Sequence, residues 1–142
     1  MLLAQPPAGT PLALGHQLFN GDDFRGAIEQ YDAALAADPS SIPGYYWRAV
    51  AYERIGQRDR ALADLEVLIE REVNEIDVYI RAQWILIRTQ EWDRILVMWT
   101  KFIEGNPGSG GAYYDRAATR HRMGDREGAL RDADEACRLG FK

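Results

Sequence analysis

Cysteine is almost missing from this sequence. Cys137 stands alone, which excludes an internal disulfide framework and a cysteine-rich metal site and fits a reducing compartment. Histidine is nearly as scarce, limited to His16 and His121. No apolar run approaches the roughly 18 residues that a membrane-spanning helix needs. The opening Met1-Leu2-Leu3-Ala4-Gln5 is too short for a secretory signal and has no basic flank, so the cytoplasm is the expected location. Positive charge is not in excess either. The formal net charge of -5 repels phosphates and argues against nucleic acid or an acidic membrane surface as a partner, as the missing apolar run argues against membrane insertion. The one glycine-rich stretch, Gly108-Ser109-Gly110-Gly111, lacks the following lysine of a phosphate loop, and no zinc-ligand spacing occurs. Asp22-Asp23 and Asp132 with Asp134 read as helix starts and solvated faces rather than metal ligands. Neither metal nor cofactor is expected.

What the sequence does have is an internal echo. Tyr45-Tyr46, Arg48-Ala49, Arg54, Gly56, Arg58, Ala61-Leu62 and Asp64 return as Tyr113-Tyr114, Arg116-Ala117, Arg122, Gly124, Arg126, Ala129-Leu130 and Asp132, without a gap. The offset is 68 residues, twice 34, and a fixed period of about 20 to 50 residues marks a stacked repeat architecture. With 142 residues, 46% of them hydrophobic and 27% charged, the chain has the size and composition of one globular domain.

The punctuation agrees with that period. Residues 1–9, with Pro6, Pro7 and Gly9, are expected to form a flexible leader. Thr10-Pro11 opens a helix carrying Leu14, Leu18 and Phe19, and a second helix runs from about Asp23 to the stop at Asp38-Pro39. The cycle restarts at Ser41, with helices expected near 43–55 and 58–71, then 76–89 and 92–104, closing at Asn106-Pro107. After a flexible Gly108–Gly111 linker come helices near 112–122 and 126–138, with Gly140 as a C-terminal cap. The sum is about eight helices and no strand.

This pattern resembles the tetratricopeptide repeat (TPR) family, as four consecutive repeats at 8–41, 42–75, 76–109 and 110–142. Gly15, Ala49 and Ala117 match the family's small residue on the first helix, and Ala27, Ala61 and Ala129 match its partner on the second. Tyr31, Leu65 and Trp99 match the large residue further along, Ala34 and Ala136 the next small one, and Pro39 and Pro107 the closing proline. The resemblance implies an all-α, right-handed α-solenoid of antiparallel helix-turn-helix repeats. The third repeat diverges, with Gln83 and Ile95 at the two small positions and Phe102 for the later alanine. Larger side chains there predict a local widening or bend, because small residues are what let helix backbones approach closely.

In such a stack the first helices line a concave face. Projecting them puts Leu12, His16 and Phe19, then Tyr46, Trp47 and Val50, then Ile80, Arg81, Trp84 and Ile87, then Tyr114, Asp115 and His121 on that face. The lining is apolar and aromatic, the composition that dominates interface energetics. Tyr46 and Tyr114 serve either as groove wall or as packing between successive first helices; Trp92 and Trp99, on a second helix, belong in the core. Arg54, Arg88 and Arg122 recur every 34 residues, as anion contacts or as complements to a helix dipole. The family's clamp on a terminal carboxylate uses Lys and Asn where Leu12 and His16 stand here, which disfavours that mode.

The expected function is therefore a protein-interaction scaffold or adaptor that binds a peptide or helix in the groove. The alternatives are self-association through the groove or a stack end that lacks a polar capping helix, and an accessory domain of a larger protein. An enzyme is not expected: catalysis needs a nucleophile, a base and an orienting group together. His16 and His121, three repeats apart, are expected to lie about 25 to 30 Å from each other at roughly 10 Å per helix row. Cys137 is expected as a small packing residue.

Overall fold

Helices begin where a side-chain oxygen can take up a free amide. Thr10, Asp23, Ser41, Ser109 and Asp125 each accept from the amide three residues on, at 2.9 to 3.4 Å. The computed structural model describes residues 2–141; Met1 of the expected leader and Lys142 of the expected fourth repeat lie outside the described residues. Among these there are eight helices and no strand: α1 (Pro11–Asn20), α2 (Phe24–Ala37), α3 (Ile42–Arg54), α4 (Arg58–Glu70), α5 (Ile76–Arg88), α6 (Trp92–Gly105), α7 (Gly110–Arg122) and α8 (Arg126–Arg138). Gly110 and Gly111, expected in a flexible linker, instead form the first turn of α7 beneath the Ser109 cap. Phe141 and Leu139 pack against Gly110, where an added Cβ would meet the Phe141 Cβ at 2.8 Å.

Each first helix ends in the same turn. The amides of Asp23, Gln57, Glu91 and Asp125 reach back five residues to the carbonyls of Leu18, Tyr52, Leu86 and Arg120 at 2.9 to 3.1 Å. The residue before each of them is left-handed: Asp22 (φ 63°), Gly56 (79°), Gln90 (57°) and Gly124 (85°), in steps of 34 residues. A Cβ is penalised in that conformation. Gln90→Gly should therefore raise stability by about 0.5–1 kcal/mol, and Gly56→Gln should lower it by a similar amount, as read from urea midpoints.

The chain divides into two compact halves, Met1–Arg71 and Glu72–Lys142. In the first half, α1 to α3 pack around Ala27, Tyr31 and Ala51, with Leu12, Leu18, Phe19, Ile28 and Trp47 against them. Gly15 earns its place sterically, since a Cβ there would come within 2.5 Å of the Tyr31 ring. Ala49 and Ala61 are wholly buried, as close helix approach requires. Beside them Arg48 makes a two-pronged bond to Asp64, at 2.8 and 2.6 Å, and a third to Asp32 at 2.8 Å. Burial pushes the Asp64 carboxyl above its usual range while the Arg48 bond pulls it back down.

In the second half, α5 to α8 repeat that pair as Arg116 on Asp132, at 2.8 and 2.7 Å, with Arg120 adding a bond at 2.9 Å. The third repeat has Ala82 and Met98 at the corresponding places, both buried. Its interior is aromatic instead: Tyr79 and Phe102 rings lie 4.6 Å apart, and Trp99 meets Phe102 edge-on at 5.8 Å. The backbones of α5 and α6 approach one another less closely than in the other three pairs. That is the widening that Gln83, Ile95 and Phe102 predict, and all three fill the extra space as buried residues.

Candidate functional site

In the first half, α1 and α3 share a face built around Trp47. His16 meets the indole edge-on at 5.3 Å, Phe19 at 5.9 Å and Tyr46 at 5.3 Å. His16 is itself fixed by a 2.7 Å hydrogen bond between Nδ1 and the Tyr31 hydroxyl. Burial lowers the His16 pKa, which keeps the ring neutral, and raises that of Tyr31. Tyr46 and Val50 are 6% and 2% exposed. These two expected groove residues are core, because the packing around α3 covers them. Leu12 and Phe19 are half-buried against the same core.

Residues 1–9 were expected as a flexible leader, yet Leu2 is only 5% exposed and its carbonyl accepts a 3.0 Å hydrogen bond from Trp47 Nε1. Leu2 to Gln5 border a recess of about 210 Å³ together with His16, Asn20 and Trp47. A leucine gains by leaving water, and a half-buried indole N–H needs an acceptor. Neither need is visible in a proline-punctuated leader read alone.

In the second half, α5 and α7 are stitched by Gln83. Its Nε2 donates to Asp115 Oδ1 at 3.1 Å, and its Oε1 accepts from Trp99 Nε1 at 2.6 Å. Flanking that stitch, Trp84 and Tyr114 are 61% and 54% exposed. Ile80, Arg81 and Ile87 are half-buried on α5, and His121 is exposed on α7. Burial raises the Asp115 pKa, opposed by the Gln83 bond. A second recess of about 490 Å³ lies between α7 and α8, walled by Tyr114, Ala118, His121 and Leu130.

The three recurrent arginines are exposed. Arg54 lies over the Phe19 and Phe24 rings at 5.4 and 5.5 Å, and Arg122 over Trp92 at 6.0 Å, contacts that fix two of them against aromatic faces. Trp99 is fully buried and Trp92 half-buried. Cys137, expected to pack, is exposed on α8. The polar contacts that sequence reading missed share one spacing: Arg48 to Asp64, Gln83 to Trp99 and Arg116 to Asp132 are each 16 residues apart. That is the step from a first helix to the facing point of its second; the spacing recurs with the repeat, but which polar groups meet across it is decided by the packing.

Two family profiles match the chain: one described as "TPR repeat" over residues 15–56 and one as "Tetratricopeptide repeat" over residues 44–72. Residues 15–72 thus carry tetratricopeptide repeats. Among curated relatives, DnaJ homolog subfamily C member 3 of Bos taurus is 27% identical over 96 residues, 68% of this TPR chain and 19% of that protein. Protein SGT1 homolog of Oryza sativa subsp. japonica is 34% identical over 74 residues, 52% of this chain and 20% of that protein. The TPR chain thus spans about a fifth of the length of these relatives. A solved structure of MamA AMB-1 superposes with a TM-score of 0.73 at 20% identity, covering 93% of this chain and 73% of that one. YrrB, "a TPR protein with an unusual peptide-binding site", gives 0.69 at 21% identity, covering 92% and 67%. These likenesses show the fold. No helix among the described residues is long and apolar enough to cross a membrane.

Proposed function

We propose that this TPR chain is a non-enzymatic protein-interaction scaffold whose first helices bind an apolar peptide or amphipathic helix. The observation that carries the reading is the pair Trp84 and Tyr114, large aromatics held more than half exposed on α5 and α7. They flank the Gln83–Asp115 bond that joins the two helices. Rigid aromatics presented to solvent by a fixed backbone lose little entropy on binding and are the usual anchors of interfaces. YrrB, of like fold, has a peptide-binding site, which supports the class of ligand. Selection from a displayed library of 12-residue peptides should enrich apolar sequences. Their affinity should fall about tenfold or more in Trp84→Ala with Tyr114→Ala, the loss expected of two hot-spot side chains. Unchanged affinity with unchanged unfolding would refute the assignment of the face.

A second reading, self-association, draws on the recess between α7 and α8, where Leu130 is 65% exposed. There the expected outcome is a mass, by light scattering, that rises above 16.1 kDa with concentration and returns to it in Leu130→Glu. A monomer at every concentration rules this out.

A further inference from the structure

The first-half face is not empty. Trp47 is immobilised by edge contacts from His16, Phe19 and Tyr46, and the N–H it offers is taken by a main-chain carbonyl, that of Leu2. A main-chain carbonyl is offered by a non-helical segment of any sequence, and the side chain beside it supplies selectivity. Here that side chain is Leu2, almost wholly buried, while the next, Leu3, is 83% exposed. Leu2 and Leu3 lie in a turn and residues 4–7 have no regular structure, so the segment's carbonyls are not engaged in a helix. The residues that follow, Ala4 and Gln5, line the same recess with His16 and Asn20. Pro6, Pro7 and Gly9 then carry the chain to the Thr10 cap of α1 without regular structure.

We infer that the α1–α3 face around Trp47 is a recognition site for a non-helical aliphatic segment, and that Leu2 to Gln5 is a built-in occupant that a partner has to displace. The inference rests on the reading of first helices as peptide-binding faces and adds the ligand class and the competition. The ligand needs a leucine-sized side chain seated beside the indole, a carbonyl for Trp47 Nε1, and small or polar residues after it. A helix is a poorer ligand because its carbonyls are already bonded within the helix. A short tether holds its end at an effective concentration of about a millimolar, so a free peptide binding near 0.1 mM would be weakened about tenfold by the resident segment.

The test uses the full chain and an acetylated peptide of residues 2–9 as probe. Leu2→Asp puts a charge where the leucine is buried and should release the segment; Leu3→Asp changes a solvated residue and serves as control. The Trp47 indole N–H resonance should shift in Leu2→Asp, stay in place in Leu3→Asp, and return toward the wild-type position when peptide is added to Leu2→Asp. The peptide should bind Leu2→Asp at least fivefold more tightly than wild type. An unmoved resonance in Leu2→Asp overturns the contact, and a shifted resonance that peptide does not restore overturns the recognition site. Loss of the helical circular dichroism in Leu2→Asp would make the segment part of the core, which also overturns the proposal. Library peptides that depend on Trp84 and Tyr114 are measured on the same variant. If they still bind while the probe does not, only the present inference fails; if no peptide binds either face, the scaffold reading fails with it.

Discussion

Asp132→Ala should destabilise the second half by about 3–5 kcal/mol, the range for removing one partner of a buried ion pair. Asp132 is 3% exposed and accepts from two arginines, Arg116 through both prongs and Arg120 through one. The charge of the pair contributes little net stability, since desolvation offsets most of the attraction; the damage comes from stranding guanidinium groups without a counter-charge. The third repeat shows the apolar alternative at the same two positions, Ala82 and Met98, both buried. Arg116→Ala combined with Asp132→Met should therefore recover much of the loss. Arg120 keeps Asp125 within 3.7 Å in that double variant. Urea midpoints of the single and double variants check this: equal losses would mean that packing volume, rather than an uncompensated charge, governs the site. A weaker effect is expected for Asp64→Ala, because Arg48 retains its 2.8 Å bond to Asp32.

Trp99→Ala should cost about as much, 3–5 kcal/mol by the usual range for truncating a buried aromatic. Trp99 is fully buried and packed on Tyr79 and Phe102, between two helices whose backbones approach less closely than those of the other pairs. Deleting it removes the filler of that gap, and the gap has no small-residue contact to fall back on, since Gln83 and Ile95 occupy those positions. Trp99→Phe separates the two contributions. It keeps much of the ring but leaves Gln83 Oε1 without its donor, an orphaned buried acceptor worth about 1–3 kcal/mol. A loss in the phenylalanine variant no larger than the change in ring volume explains would mean that the hydrogen bond is dispensable. Because Gln83 also holds Asp115, both variants should loosen the α5–α7 seam, visible as faster amide exchange near Asp115.

The expectations that rested on periodicity fared differently from those that rested on facing direction. Helix ends and turns came within one or two residues, since capping side chains, prolines and glycines act on their immediate neighbours. Gly110 and Gly111 were the exception: their apparent flexibility is overridden by Phe141 and Leu139, which need a bare backbone to pack on. The widening of the third repeat was legible because size at two positions decides helix separation. On the expected groove, Tyr46 and Val50 turned inward while Trp84 and Tyr114 stayed out. Helical projection assigns a side chain a direction but does not say how much of that direction a neighbouring helix covers.

By itself, the sequence determined the repeat. A 34-residue period of small residues, caps and left-handed turn positions allows only a succession of helical hairpins, because each signal is local and each recurs in phase. Tertiary structure alone decided which polar groups meet across 16 residues, at Arg48 with Asp64, Gln83 with Trp99 and Arg116 with Asp132. It alone decided that Leu2 lies on Trp47 across 45 residues. The physical reason is that a buried donor takes whichever acceptor the packing brings to it, and packing depends on the sum of many apolar contacts rather than on any one residue's type.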